Sequence, residues 1–427
     1  MFGSVQGSPR VRPVVPDVAN RPRWVAVPRT PTPTSTRTAL ALALAVALAT
    51  VATWCAAAPP DVHASPHRGS LDEGLVVAAR LPAAAPALDI AVNGDRAFVA
   101  AHGVGVHILD IADPHAPVIL GTLSTAGTAL AVAADNNVLA VATGTAGLQI
   151  FARPDVEAVP VLVGVILPAP GGKAYSVAVS GDIVWVGEWN EDFENGDPGH
   201  GIRAVAQMPD KTWRVIGGLT TPGWAADIAI DNLTAYVADG PGGLRIIDIA
   251  DPTAPHEVGS FATSVRAYGI AVDGATKRAY IADNSGGLVI VDVSDPAAPK
   301  ALGSLATAGA AYDVAFDAEG QRVWIAQADG GGPADGGRVT LVDVRRPAAP
   351  VTVDEIVLAQ RAWGVALGAG DRAWVAATGS GVIGLERRLI DPPPTETSSP
   401  GPSVTPTAFA TPDGSPAGRV HLPWASR

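Results

Sequence analysis

Cysteine is all but missing from this chain: Cys55 is the only one in 427 residues. An intrachain disulfide and a thiolate metal cluster are therefore both excluded. Charge is also scarce, at 16% of residues against 48% hydrophobic ones, and aromatics make up 5%. Six arginines against Asp17 give residues 1–38 a charge of +5, so the remainder carries −17 and the whole chain −12. An acidic remainder argues against nucleic acid, whose phosphates need a basic face. The signatures of common enzyme classes are missing too. No His pair has zinc spacing; His102 and His107 fall on adjacent strands with different facing. No Gly-rich loop follows a strand and opens a helix, and nothing resembles a nucleophile elbow or an S-x-D-x-G-x-T-W box.

Glycine and proline, by contrast, are abundant, with 47 and 38 copies. Many short strands joined by Gly/Pro turns produce that profile. The stretch at residues 287–305, GLVIVDVSDPAAPKALGSL, returns at 243 as GLRIIDIADPTAPHEVGSF and at 105 as GVHILDIADPHAPVILGTL. Weaker copies begin at Gly147, Arg338 and Gly381. A second marker precedes the copies, as in ALDIAVNGDRAFVAA at Ala87 and AADIAIDNLTAYVAD at Ala225. Its inner alanine falls at Ala91, Ala133, Ala178, Ala229, Ala271, Ala315 and Ala366, in steps of 42, 45, 51, 42, 44 and 51. Seven all-β units of this length predict a seven-bladed β-propeller of four-stranded blades.

Within a unit, strand A is the 89–93 type and strand B the 97–101 type, often with an aromatic. Strand C is the 106–111 type, nearly continuous in β-branched residues, and strand D is the 118–123 type. Residues 75–81 (LVVAARL) read as a D strand with no A, B or C before it, and the last unit lacks a D strand. The expectation is that this N-terminal strand completes the seventh blade and removes an exposed edge.

The propeller is expected over 65–390. Residues 1–38 form a basic segment that should stay disordered. Residues 39–64 read as a signal peptide, with an uncleaved membrane anchor as the alternative. Trp54 is too bulky for the small residue that should precede a lipid-modified Cys55. Residues 391–427 form a disordered Pro/Ser/Thr-rich tail. The propeller should therefore lie outside the cytoplasmic membrane, secreted or at the cell surface.

The GLVIVDVSDPAAP and GLRIIDIADPTAP stretches resemble the LVIVD repeat. That resemblance implies a β-propeller-like fold and membership among mainly secreted and surface proteins; it carries no catalytic residue set. Blade 2 departs from the pattern at Phe151-Ala152-Arg153, and blade 3 at Val205-Ala206-Gln207, which puts those two outer strands in doubt.

The repeated Asp-Pro (Asp113, Asp251, Asp295) and the Asp after each apolar triplet (Asp110, Asp248, Asp292, Asp343) read as turn-holding groups. A more variable set lies at the other end of the blades. Strand A begins with Asp89, Asp227 and Asp313 in three blades, against Ala131, Ser176, Gly269 and Gly364 elsewhere. Strand B ends at His102, Thr143, Glu188, Asp239, Asp283, Gln327 and Thr378. Asp89, His102, Glu188, Asp227, Asp239, Asp283, Asp313 and Gln327 make the candidate binding face. The two longest B–C loops, at 189–200 and 328–337, emerge there as well. Glu188, Glu191, Asp192, Glu194 and Asp197 could hold a hard cation such as Ca²⁺, without the spacing of an EF-hand; a solvated acidic loop is the competing reading. The leading expectation is a monomeric, non-enzymatic binding or scaffold module for a protein or glycan of the cell envelope. The alternative is a Ca²⁺-dependent propeller hydrolase, with Asp89, Asp227, Asp313 and Glu188 at the tunnel mouth. A purely structural envelope protein is a third.

Overall fold

The computed structural model describes residues 73–82, 85–153, 158–190, 201–329, 336–379 and 381–389. The leader at 39–64, the tail at 391–427 and the acidic loop bearing Glu191, Asp192, Glu194 and Asp197 lie outside them. The described residues contain β-strands and no helix.

Strand β1 (Glu73–Leu81) comes first in the chain but belongs to the last blade. Blade 1 is β2 (Asp89–Asn93), β3 (Arg96–Ala101), β4 (Gly105–Asp110) and β5 (Val118–Leu123). Blade 2 is β6 (Ala131–Ala134), β7 (Val138–Ala142), β8 (Leu148–Ala152) and β9 (Val161–Ile166). Blade 3 is β10 (Gly172–Ser180), β11 (Ile183–Asn190), β12 (Gly201–Gln207) and β13 (Trp213–Leu219). Blade 4 is β14 (Asp227–Asp231), β15 (Thr234–Ala238), β16 (Leu244–Asp248) and β17 (His256–Phe261). Blade 5 is β18 (Gly269–Asp273), β19 (Arg278–Ala282), β20 (Leu288–Asp292) and β21 (Lys300–Leu305). Blade 6 is β22 (Ala310–Asp317), β23 (Arg322–Ala328), β24 (Gly337–Asp343) and β25 (Val351–Leu358). Blade 7 is β26 (Ala362–Leu367), β27 (Arg372–Ala377) and β28 (Gly381–Leu389), completed by β1. Strand β1 runs antiparallel to β28, from Glu73 opposite Leu389 to Leu81 opposite Val382. Closure by an N-terminal strand is therefore as the spacing predicts. The doubtful outer strands of blades 2 and 3 both form, and the ring is unbroken.

The core is a set of seven layers, one between each pair of neighbouring blades. Blades 4 and 5 meet through Tyr236, Leu244, Ile246, Ile270, Ile281 and Val291. Blades 7 and 1 meet through Trp374, Ala376 and Val382 against Val99, Leu109 and Ile111. Strands B and C are buried on both faces, which explains their runs of Val, Ile and Leu. Each strand-B aromatic predicted from the sequence fills one of these layers; Phe98, Trp185, Tyr280 and Trp374 are all essentially inaccessible.

The repeat consensus has a geometric origin. Asp113, Asp251 and Asp295 each accept the NH two residues on, at 2.9, 2.9 and 3.1 Å, closing the turn after strand C. Asp110, Asp248, Asp292 and Asp343 do the same one turn earlier. The closed turn then docks on the preceding blade. A Cβ on Gly259 would collide with the Pro296 carbonyl, and one on Gly303 with that of Pro347. The strand-D glycine thus admits the neighbour's Pro turn. Blade 2 solves the same problem differently. Ala152 stands where other blades turn with Asp, and the next residue, Arg153, lies over the Phe98 ring at 4.6 Å and donates to Asn93 and to the Asp135 carbonyl.

Candidate functional site

The A strands line the axis, so the residues near their starts face one another around the ring. Asp89 and Asp227 open β2 and β14, and Asp313 holds the matching place within β22, which begins earlier, at Ala310. Each uses one oxygen for the NH of its own next residue, at 2.7–2.8 Å. Each uses the other for an NH in the following blade: Val132 at 2.8 Å, Ile270 at 2.9 Å and Val365 at 2.8 Å. The partner blades begin with Ala131, Gly269 and Gly364, and a Cβ on Gly364 would stand 3.0 Å from the Asp89 Cα. Aspartate therefore alternates with a small residue because it reaches across it. Seven is odd, and blade 3 uses Ser176, whose hydroxyl donates to the Ala225 carbonyl at 2.8 Å.

Burial pushes the Asp89 carboxyl up to about 6, against the Val132 NH, with the charge of Asp227 adding to the rise. Asp313 stands well above the ordinary carboxylate value through burial, then through the charges of Asp227 and Asp89. Asp227 rises through burial, opposed by the Ile270 and Ile228 NH groups. Each keeps a partial exposure, toward the axis, that does not hydrate it fully. These carboxylates are inter-blade staples whose burial disfavours their charged form. Among the described residues, no group of three or more His, Cys, Asp or Glu side chains is arranged to hold a metal ion.

The ends of the B strands also turn inward. Glu188 is fully buried, pairs with Arg203 and accepts the Ala169 NH at 3.2 Å. Asp239 accepts the Thr221 hydroxyl at 2.5 Å and the Gly223 NH at 2.8 Å, with Arg245 at 3.5 Å; burial raises it to about 6. Asp283 holds the NH and hydroxyl of Ser264 and the Val265 NH. Gln327 accepts the Gly309 NH at 3.1 Å and donates to Thr340 at 2.5 Å. In every case at least one partner belongs to the loop that enters the same blade's A strand: Ala169, Thr221 and Gly223, Ser264 and Val265, or Gly309. The variation between blades thus follows the loop being anchored. His102 is half-buried with φ +38°; its carbonyl accepts the Ala129 NH at 3.0 Å, tying blade 1 to blade 2, and burial lowers its pKa.

What lies on this face is aromatic. Tyr175, Tyr268, Tyr312 and Trp363 each sit one residue before the strand-A staple position, and Trp189 and Trp224 stand beside them. The six rings form one chain of contacts across blades 3 to 7. Centroid separations run 6.0 Å for Tyr175–Trp189, 6.2 Å for Trp189–Trp224, 6.3 Å for Trp224–Tyr268, 5.1 Å for Tyr268–Tyr312 and 4.4 Å for Tyr312–Trp363. Edge-on and tilted packing suits aromatic quadrupoles. The Lys173 ammonium lies 5.4 Å from the Trp189 ring and the Arg266 guanidinium 5.5 Å from Trp224. Burial raises the Tyr175 phenol, and the nearby phenols of Tyr268 and Tyr312 raise it further. All six side chains remain partly exposed. Sequence reasoning passed over this arc, although its signal is the aromatic in AYSVAV, AYGIAV, AYDVAF and AWGVAL.

Comparison with known proteins agrees with the architecture. The LVIVD repeat family model matches residues 85–125, 171–193, 222–263 and 266–307. No curated protein matches. Among solved structures, the computationally designed Ika8 protein is similar at 11% identity and a TM-score of 0.50, over 71% of this chain and 97% of that one. A chain in the crystal structure of the mitotic checkpoint complex is similar at 11% identity and a TM-score of 0.53, over 77% of this chain and 96% of that one. At such identity the likeness concerns the fold alone. The chain is a closed ring of seven blades, a β-propeller, and four stretches of it match the LVIVD repeat.

Proposed function

We propose that this protein is an extracytoplasmic binding propeller that captures a glycan of the cell envelope on its aromatic arc. The observation that carries this reading is the arc itself: six part-exposed rings in mutual contact at one mouth of the axis. Flat aromatic faces cover the apolar CH face of a sugar ring, and the phenol, indole and cationic groups around them can bond its hydroxyls. Because the rings already brace one another, little side-chain freedom is lost when a ligand lands. Lys173 and Arg266 give the arc a basic margin, which also suits a sugar carrying a carboxylate. The leader-like segment at 39–64 supports a location outside the cytoplasmic membrane.

Calorimetric titration of the purified full chain with soluble neutral and uronate oligosaccharides tests the reading. Binding should weaken at least ~10-fold in Trp363→Ala and Tyr312→Ala, as expected for loss of an aromatic anchor. Their melting midpoints should stay close to the wild type. No binding to either class, or binding indifferent to both substitutions, would sink it. Capture of envelope material that resists glycosidases and yields to protease would point to a protein partner instead.

A further inference from the structure

The outer wall of the ring is not uniform. Strands D of blades 4 to 6 carry His256, Glu257, Lys300, Asp354 and Glu355. Strands β5 (VILGTL) and β9 (VLVGVI), the outer strands of the neighbouring blades 1 and 2, carry no charged residue at all. Their side chains are not tucked away. Val118 and Leu120 on β5 are more than half exposed, as are Val161 on β9 and its flanking Val159 and Leu167, the last two at 71% and 68%. β9 is the terminal strand of its sheet, so its outer edge has no strand partner among the described residues.

An uncharged, apolar terminal strand is what soluble proteins ordinarily avoid, by placing Lys, Pro or a cover on the edge. Nine of the fourteen exposed large hydrophobics among the described residues fall on or beside these two strands, whereas such residues are ordinarily scattered singly over a monomer. We propose that this wall is a self-association surface, in which β9 pairs antiparallel with β9 of a second copy about a two-fold axis.

The occupant follows from charge and shape. A lipid surface would call for basic residues beside the apolar ones. None stands on β5 or β9, and the chain beyond residue 38 carries −17. A second acidic copy is repelled everywhere except through an uncharged patch, and this is such a patch. An antiparallel strand is also self-complementary across a two-fold, so each copy satisfies the other's edge with no further partner. Strand β9 lies on the outer rim, away from the aromatic arc at the axis, so the pairing neither uses nor blocks that site. The surface departs from the monomer expected on sequence grounds, and it stands whether or not the arc binds a glycan.

Sedimentation equilibrium on the full chain, without detergent, tests the pairing. The wild type should be dimeric at about 10 µM. Val163→Lys and Val161→Lys, which place a charge on β9, should weaken the dimer at least ~10-fold with an unchanged melting midpoint. Val351→Lys, at an exposed position on β25 of blade 6, should leave the dimer intact. A wild type that stays monomeric at about 100 µM overturns the proposal. So does a dimer that survives both β9 substitutions, which would place the contact elsewhere. Flotation with phosphatidylcholine or phosphatidylglycerol vesicles that is lost in Val163→Lys, from a monomeric protein, overturns it in favour of lipid.

Discussion

Three carboxylates facing one another across an axis have a consequence that can be measured. Asp89 is raised to about 6 and Asp313 well above the ordinary carboxylate value, in both cases first by burial. A proton held more tightly in the folded than in the unfolded chain stabilises the fold at low pH. That contribution is complete below the unfolded value and is lost as pH climbs through the folded one. Asp239, also raised to about 6, acts in the same sense. The turn aspartates Asp251 and Asp292 act in the opposite sense. Their pKa values are lowered by turn hydrogen bonds, so their contribution is lost only as pH falls below the ordinary carboxylate range. From about pH 4.5 to about pH 7 the fold should therefore lose stability, on the order of 1–3 kcal/mol for each of Asp89 and Asp239, and the melting midpoint should fall with it. Asp313→Asn should flatten the profile. A midpoint that holds level or climbs over that window would show that burial does not raise these carboxyls above their ordinary value. Asp283 makes a sharper residue-scale test. It is the buried acceptor for Ser264 and Val265, and Asp283→Ala should cost about 2–4 kcal/mol in denaturant unfolding, because donors are stranded in the interior. The polar character of these positions is plain in the sequence. Their inward direction is not, because it depends on which loop crosses behind each strand.

At the scale of strands and turns, the repeat is a rule about neighbours. The Asp-Pro turn of one blade rests on the strand-D glycine of the blade before it, so the two conserved-looking features of each repeat belong to one contact between blades. Gly259→Ala should cost about 1–3 kcal/mol, as overpacking against backbone does, because the Pro296 carbonyl cannot yield. Gly121 holds the same place in blade 1, and a Cβ there meets nothing within 4 Å among the described residues. Gly121→Ala should be near neutral, within about 0.5 kcal/mol. Equal costs at the two sites would refute the docking account. Strand positions and the turn aspartates were legible because period-two patterning and turn chemistry are local. The aromatic arc was not. Its residues lie in separate blades, and only ring closure carries Tyr175 and Trp363 to one mouth.

For the whole molecule, stability rests on seven like interfaces and one closing pair of strands. Leu75 of β1 is buried with Ile356, Leu358 and Ile383, and its NH donates to Asp354 of blade 6 at 2.6 Å. A chain begun at Pro86 loses that strand, bares the edge of β28 and strips the layer between blades 6 and 7. It should unfold at least ~10 °C lower than the wild type and aggregate on heating, since an open ring presents a pairing edge. A truncated chain that melts at the wild-type temperature would mean that β1 is an ornament on a ring already closed.

The amino-acid sequence by itself determined the number of blades, the order of strands within each, the turns that join them and the strand that closes the ring. Each of these follows from patterns within a few dozen residues, repeated seven times. Tertiary structure alone decided how the polar residues at the axis are used and which aromatic rings meet at its mouth. Whether an aspartate meets water, a metal or the NH of the next blade is set by side chains that the fold brings from other repeats. The physical reason is one of range. Strand and turn propensities act along the chain, whereas desolvation, inter-blade hydrogen bonds and ring–ring contacts act through space.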